Sequence, residues 1–252
     1  MNCGNITSRS NRLVKELREL QTKRKVRYEN RSFVCDGIKL LGEAIQSGVK
    51  IKYIFAQEGI ELNAEWLDEY DVYTAPRELM EYISTLECTQ GVIFCCEMPE
   101  SSDLEGEQIL ILDHLQDTGN LGTIIRCADA FGISTVVLDG TADPYNPKTV
   151  RAAMGALFRV KLCSMDSLHA IDLLKDKNIP TYAATLTESA VDITGVSLKR
   201  AAVVIGNEGN GVSGRVEDAC SGHVILPMSG DAESLNASIA AGIIMWEMQK
   251  AR

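Results

Sequence analysis

The second half of the chain contains three short, unbroken apolar runs: Ile-Leu-Ile-Leu-Asp at 109–113, Thr-Val-Val-Leu-Asp at 135–139 and Ala-Ala-Val-Val-Ile-Gly at 201–206. A strand with one wet face alternates polar and apolar residues. A run without alternation is covered on both faces, as strands of a parallel sheet between two layers of helices are. Segments of helical spacing separate these runs, so the expected fold is α/β, with a doubly wound parallel-sheet domain over residues 108–252.

The first hundred residues read differently. Leu13, Leu17 and Leu20 recur at spacings of four and three with Lys15 and Arg18 between them, an amphipathic helix whose solvent face is basic. Next come an apolar run from Ser32 to Cys35 and a helix with Asp36 as its expected N-cap, Ile38, Leu41 and Ile45 inward and a stop at Gly48. Ile51 to Phe55 reads as a strand, and a second helix-strand-helix-strand passage runs through Trp66, Val72–Tyr73, Leu79–Ile83 and Gly91–Cys95. Residues 1–97 are therefore expected to form a smaller α/β domain. The acidic stretch from Glu97 to Gln108, with Pro99 and Gly106, reads as the linker.

A chain of 252 residues with 45% hydrophobic content can bury a core in each of two domains. No apolar stretch approaches the roughly 18–20 residues of a membrane helix, and Met1 to Asn11 lacks the apolar region of a signal peptide. The expectation is a soluble, cytoplasmic protein. The eight cysteines, at 3, 35, 88, 95, 96, 127, 163 and 220, include no Cys-x-x-Cys pair and read as buried, reduced thiols. With His114, His169 and His223 scattered, no metal is expected.

The net charge of −10 opposes general affinity for nucleic acid, but residues 1–31 carry +6 and the remainder −16. Lys23, Arg24, Lys25 and Arg27 are the densest part of that basic segment. They form a candidate patch for phosphates, although the same residues also suit an ordinary solvated helix face.

Three later segments each place glycine and polar side chains directly after a strand, where open parallel sheets bind ligands. In the first, Gly119, Asn120 and Gly122 read as a turn, followed by a helix that carries Arg126 six residues after Asn120; alone, Arg126 suits a surface position as well as a functional one. The second, 205–214, has four glycines in nine positions and one carboxylate, Glu208. It lacks the Gly-x-Gly-x-x-Gly spacing of a dinucleotide site and the Gly-Lys-Ser/Thr ending of a phosphate loop. In the third, Ser234 and Asn236 stand at the entrance of a terminal helix, where N-capping is their ordinary role. In that helix Leu235, Ile239, Ile243 and Trp246 read as one face, with Ala240 and Ile244 widening it, an apolar excess suited to a partner.

In this order the segments resemble the three motifs of the SpoU (TrmH-type) family of RNA ribose 2′-O-methyltransferases, within the SPOUT superfamily. Asn120 with Arg126 fits the first motif, Gly206, Glu208 and Gly211 the second, and Leu226-Pro227-Met228 with Ser234-Leu235-Asn236 the third. Residues 143–160 also resemble the family's connecting segment, with Asn146 and Arg151 at positions tied to substrate or site architecture. Thr118, Cys127 and Ala237 depart from the common proline, threonine and valine. The first hundred residues are similar, more loosely, to an L30e-like RNA substrate-binding domain.

The resemblance implies a C-terminal trefoil knot, homodimerisation through that domain and S-adenosyl-L-methionine as cofactor. Thr185, Gly206, Asn207, Leu226, Met228 and Leu235 would surround the cofactor. Asn120, Arg126, Glu208, Ser234 and Asn236 would carry the chemistry, with Glu208 orienting Arg126 or accepting a proton. Structured rRNA or tRNA would be the partner, held in part by Asn146, Arg151 and the basic residues 23–27. Two alternatives stand beside this reading: a non-catalytic RNA-binding or ribosome-assembly protein that retains the fold, and a Rossmann-type enzyme with another nucleotide.

Overall fold

The computed structural model describes residues 3–85, 89–230 and 233–251. Its contacts divide the chain into two compact units, 1–100 with 145–158, and 101–144 with 159–252.

The first unit contains β1 (Cys3–Asn5), α1 (Arg12–Thr22), α2 (Arg24–Asn30), β2 (Ser32–Asp36), α3 (Ile38–Gln46), β3 (Ile51–Gln57), α4 (Ala64–Glu69), β4 (Val72–Ala75), α5 (Arg77–Ile83) and β5 (Val92–Glu97). The sheet order is β1-β4-β3-β5-β2. β1, β4 and β3 run parallel, whereas β5 is antiparallel to both β3 and β2. Val14, Leu17 and Leu20 of α1 are fully buried with Phe55, Met80 and Ile83, as the leucine spacing requires.

One expectation fails here. Asp36 ends β2, and Gly37, at φ +129°, is the N-cap of α3. The Asp36 carboxylate instead accepts hydrogen bonds from Ser84 Oγ (2.7 Å) and the Gln90 amide (3.2 Å). Burial raises its pKa against those bonds. The basic stretch after α1 is the helix α2.

The second unit begins with β6 (Gln108–Asp113), α6 (Thr118–Phe131) and β7 (Thr135–Asp139). The chain then contributes α7 (Pro147–Ala153) and the 3₁₀ turn Met154–Phe158 to the first unit, where Tyr145 packs its ring 4.9 Å from that of Phe33. The second unit resumes with β8 (Leu162–Ser164), α8 (Ser167–Asp176), β9 (Thr181–Ala184), β10 (Val191–Asp192), β11 (Ala201–Ile205), α9 (Gly214–Ala219), β12 (Gly222–Ile225) and α10 (Ala237–Lys250).

Its seven strands, in the order β10-β12-β9-β11-β6-β7-β8, are all parallel. The three unbroken apolar runs are the neighbours β11, β6 and β7, and their apolar residues are buried on both faces. The acidic stretch before β6 is tethered: Leu104 is buried, its carbonyl accepts from Lys177 Nζ at 2.8 Å, and Glu105 pairs with Lys161.

The apolar side of α10 expected to suit a partner is left exposed at three of its positions, whereas Ile244 turns inward and Leu235 falls outside the helix. Ala241, Ile244, Met245 and Met248 are buried, while Ile239, Ile243 and Trp246 are exposed, and Leu235 precedes the helix. α10 packs on α6, with Trp246 edge-on to Phe131 at 5.9 Å. Cys35, Cys95, Cys96 and Cys163 are buried free thiols, and Cys127 and Cys220 are half-buried. Cys88 lies outside the described residues, as does the side chain of Cys3. Among the described residues no helix is long and apolar enough to cross a membrane.

Candidate active site

The loops that follow β9, β11 and β12 leave the carboxyl ends of three adjacent parallel strands and enclose a cavity of about 810 Å³. All six residues expected around a cofactor line it: Thr185, Gly206, Asn207, Leu226, Met228 and Leu235. Glu208, Ser234 and Asn236 line it too. Its volume lies within the usual range for small-molecule sites of about 300–1,000 Å³. The apolar walls suit an adenine ring, and the loop backbone and carboxylates suit a charged amino-acid moiety. The site thus fits S-adenosylmethionine.

Gly206 is dictated by sterics. A Cβ there would stand 2.0 Å from the Gly211 carbonyl carbon and 2.1 Å from the Val212 nitrogen, both backbone atoms with no room to yield. The loop closes on itself through reciprocal Asn207–Gly211 backbone hydrogen bonds at 2.9 Å, with Gly211 at φ +68°. The Asn207 side chain holds this loop rather than reaching into the cavity. Its Oδ1 accepts from the amides of Gly209 (2.9 Å) and Asn210 (3.2 Å), and its Nδ2 donates to the His114 carbonyl at 3.0 Å.

The first segment is not a turn. Asp117 caps α6 by accepting from the Asn120 amide at 2.7 Å, so Gly119, Asn120 and Gly122 are already helical. This places the Asn120 side chain where it joins the three motifs. Its Nδ2 donates to Glu208 Oε1 at 3.2 Å, and its Oδ1 accepts from Asn236 Nδ2 at 3.0 Å. Asn236 also caps α10, its Oδ1 accepting from the amides of Ser238 (2.9 Å) and Ile239 (3.3 Å).

Glu208 further accepts from the Asp117 amide (2.9 Å) on Oε1 and the Gln116 amide (3.1 Å) on Oε2. Partial burial pushes its pKa up, but those amides and Asn120 outweigh it and hold the carboxyl below its ordinary value. Glu208 is therefore an anion at neutral pH with its oxygens engaged. This engagement suits the carboxylate to positioning rather than to accepting a proton.

Arg126 is not brought into this network. It lies exposed on α6, is absent from the cavity lining, and makes no hydrogen bond or ion pair among the described residues. Glu208 does not orient it. The residues expected to hold substrate belong to the first unit. Asn146 caps α7, accepting from the Lys148 amide at 3.0 Å, and Arg151 is exposed on that helix.

Of the basic stretch, Lys23 pairs with Glu19 at 2.7 Å, Lys25 approaches Glu29 at 3.6 Å, and Arg24 lies over the Tyr28 ring. Arg27 is buried and donates to the Leu20 carbonyl at 2.6 Å, closing the end of α1. It is not part of a surface patch.

Sequence reasoning missed Gln116, Asp117 and the pair Asp113–His114. An aspartate directly before a glycine-rich helix start is a readable capping signal for Asp117. Buried Asp113 accepts from Ser213 N at 2.7 Å and lies 2.7 Å from His114 Nδ1, a contact that raises the His114 pKa. Asp139 closes a possible three-ligand group with them, but its Oδ2 accepts from the Ser167 amide. Hydrogen bonds account for all three side chains without an ion.

A parallel sheet with a glycine-lined cavity at its carboxyl edge and an asparagine–glutamate–asparagine network beside it fits a protein that binds a nucleotide-like ligand. The SpoU rRNA Methylase family model matches residues 107–246, and the chain belongs to that family. It is a methyltransferase. A second model, the MRM3-like substrate binding domain, matches residues 11–93.

Among its relatives, the 23S rRNA (guanosine(2553)-2′-O)-methyltransferase RlmP of Bacillus subtilis is 32% identical over 97% of this chain and 98% of its own length. The AdoMet-bound rRNA methyltransferase from Sinorhizobium meliloti superposes with a TM-score of 0.87 at 30% identity, covering 98% of each chain. A structure described as an RNA 2′-O ribose methyltransferase superposes with a TM-score of 0.83 at 28% identity, over 98% of this chain and 99% of that one.

Proposed function

We propose that the protein transfers a methyl group from S-adenosylmethionine to a ribose 2′-hydroxyl of ribosomal RNA. The observation that carries this reading is the convergence of all six expected cofactor residues on one cavity, with Asn120, Glu208 and Asn236 linked at its edge. The bound cofactor supplies an electrophilic methyl on a sulfonium. Alignment and charge are left to the protein.

Gly206, Leu226 and Leu235 would hold the cofactor through their backbone, and Thr185 and Met228 would complete the wall of its cavity. Asn120 and Asn236 fix the relation between α6 and the last loop, and Glu208 holds the start of α6 against the loop after β11. Arg126 lies outside the cavity, so its charge is directed at the RNA. It steadies the phosphate beside the target ribose and the negative charge that grows on the 2′-oxygen. A guanidinium stays protonated at all working pH values, which rules it out as the base, so the hydroxyl proton passes to solvent water as the O–CH3 bond forms and the S–CH3 bond breaks.

The exposed Ile239, Ile243 and Trp246 support a homodimer through the second unit. A knotted path belongs to the same reading and is supported by the match to the SpoU family model over residues 107–246. The likeness to a bacterial 23S rRNA methyltransferase supports a cytoplasmic location. Retention of all five polar motif residues disfavours a non-catalytic RNA binder, and the glycine spacing disfavours a Rossmann-type enzyme.

The test is single-turnover methylation of deproteinised rRNA with labelled S-adenosylmethionine, combined with mapping of 2′-O-methylated positions in RNA from cells with and without the gene. The expected result is one mapped position that vanishes without the gene. Label appearing only on bases would overturn the ribose assignment.

A further inference from the structure

We infer that the RNA backbone docks on the first unit along Arg9, Arg12, Lys15 and Arg18, ordered around the ring of Tyr82, and not on residues 23–27. The inference rests on the RNA reading above and names the contact face. The dense basic stretch is largely spent, because Lys23 and Lys25 face Glu19 and Glu29 and Arg27 is buried on helix carbonyls, which leaves Arg24, over the Tyr28 ring, as a single outward charge rather than a patch.

The other four cations differ. Among the described residues no carboxylate forms an ion pair with any of them. Arg12, Lys15 and Arg18 recur every three residues along the outer side of α1, opposite buried Val14, Leu17 and Gln21. Arg9 stands in the turn just before that helix, where the Asn11 amide donates to the Ser8 carbonyl.

Tyr82 of α5 brings the two ends together. The Arg9 guanidinium lies 4.4 Å from the ring centroid and that of Arg18 lies 5.1 Å away. A carboxylate would order an arginine by cancelling its charge. An aromatic ring orders it through its quadrupole and leaves the full charge facing outward. Two guanidinium groups on one ring, with two more unpaired cations on the same helix, make an anchor suited to successive phosphates. With −16 carried by residues beyond 31, a polyanion is repelled from most of the molecule and steered to this face.

The experiment measures affinity for a fluorescein-labelled rRNA hairpin by anisotropy from low to high salt. Arg9→Gln/Arg18→Gln is expected to weaken binding about tenfold or more and to reduce the log–log salt slope by about 1.4–1.8, the loss of two phosphate contacts. Lys23→Gln/Lys25→Gln should change the slope by less than half as much. Tyr82→Phe should bind as the wild type does, and Tyr82→Leu should bind more weakly. Calorimetric affinity for S-adenosylmethionine should be unchanged in all variants.

An unaltered slope in the Arg9/Arg18 variant, or an equal loss in the Lys23/Lys25 variant, overturns the assignment while leaving the RNA reading intact. A wild-type protein that binds S-adenosylmethionine but no RNA overturns both.

Discussion

The side-chain amide of Asn120 donates to Glu208 at 3.2 Å while its carbonyl accepts from Asn236 at 3.0 Å, so one residue ties together the first, second and third motifs. The tie runs beside the cavity and links the helix pair α6–α10 to the loop after β11. Disturbing any member should move the others, and the resulting coupling can be measured.

For Glu208→Gln, one of the amides of Gln116 and Asp117 would face an NH₂ group. A hydrogen bond to a charged group contributes about 1.5–3 kcal/mol, which exposure reduces to about 1 kcal/mol here, or a fall of roughly 2–4 °C in Tm. Turnover should fall about tenfold while affinity for S-adenosylmethionine drops less. The depressed pKa means that the stabilisation is present above the unfolded-state pKa and is lost only as pH falls through the lower folded value. Glu208→Gln should therefore leave the shape of the kcat profile between pH 5 and 8 unchanged. An acidic limb that disappears in the variant would make Glu208 a base and sink the positioning role.

Gly206→Ala places a methyl group about 2 Å from the Gly211 and Val212 backbone. The loop must open to accept it. Calorimetry should register loss of S-adenosylmethionine binding by about a hundredfold, with far-ultraviolet circular dichroism unchanged. Near-normal affinity would mean that the loop has a second conformation.

Arg126→Ala should lower single-turnover methylation by about a hundredfold or more, the usual loss when one electrostatic stabiliser is removed, with cofactor affinity kept. Arg126→Lys should remain severely impaired, because a lysine lacks the planar fork that holds two oxygens at once. Wild-type rates in Arg126→Ala would remove this residue from the mechanism.

Ile239→Asp with Trp246→Glu places two carboxylates on the exposed face of α10. Sedimentation should then record a monomer where the wild type is a dimer at micromolar concentration. A wild type that sediments as a monomer would leave this face unpartnered.

The sheet was the most legible part of the sequence. Unbroken runs named β6, β7 and β11 because burial on both faces leaves no other use for them, whereas β8, β10 and β12 are too short to carry such a signal. The cavity lining was legible through the motif resemblance. The position of Arg126 was not, since six residues along a helix set a height and an angle but not a neighbour. Arg27 misled for a related reason: composition counts charges and cannot tell a guanidinium in water from one folded onto a helix terminus. Periodicity in α10 picked out Ile239, Ile243 and Trp246, the side left exposed, but not the buried Met245 and Met248, because the helix is apolar nearly all round and leaves little contrast.

The excursion of residues 145–158 into the first unit has a consequence for biogenesis. A ribosome releasing this chain has exported the β-sheet of the first unit by residue 97, yet Tyr145 and α7 complete that unit only after β6, α6 and β7 have followed. The first unit must wait, partly built, with Phe33 lacking its ring partner. Neither unit is a continuous piece, so a single proteolytic nick in the acidic stretch before β6 cannot release either one whole.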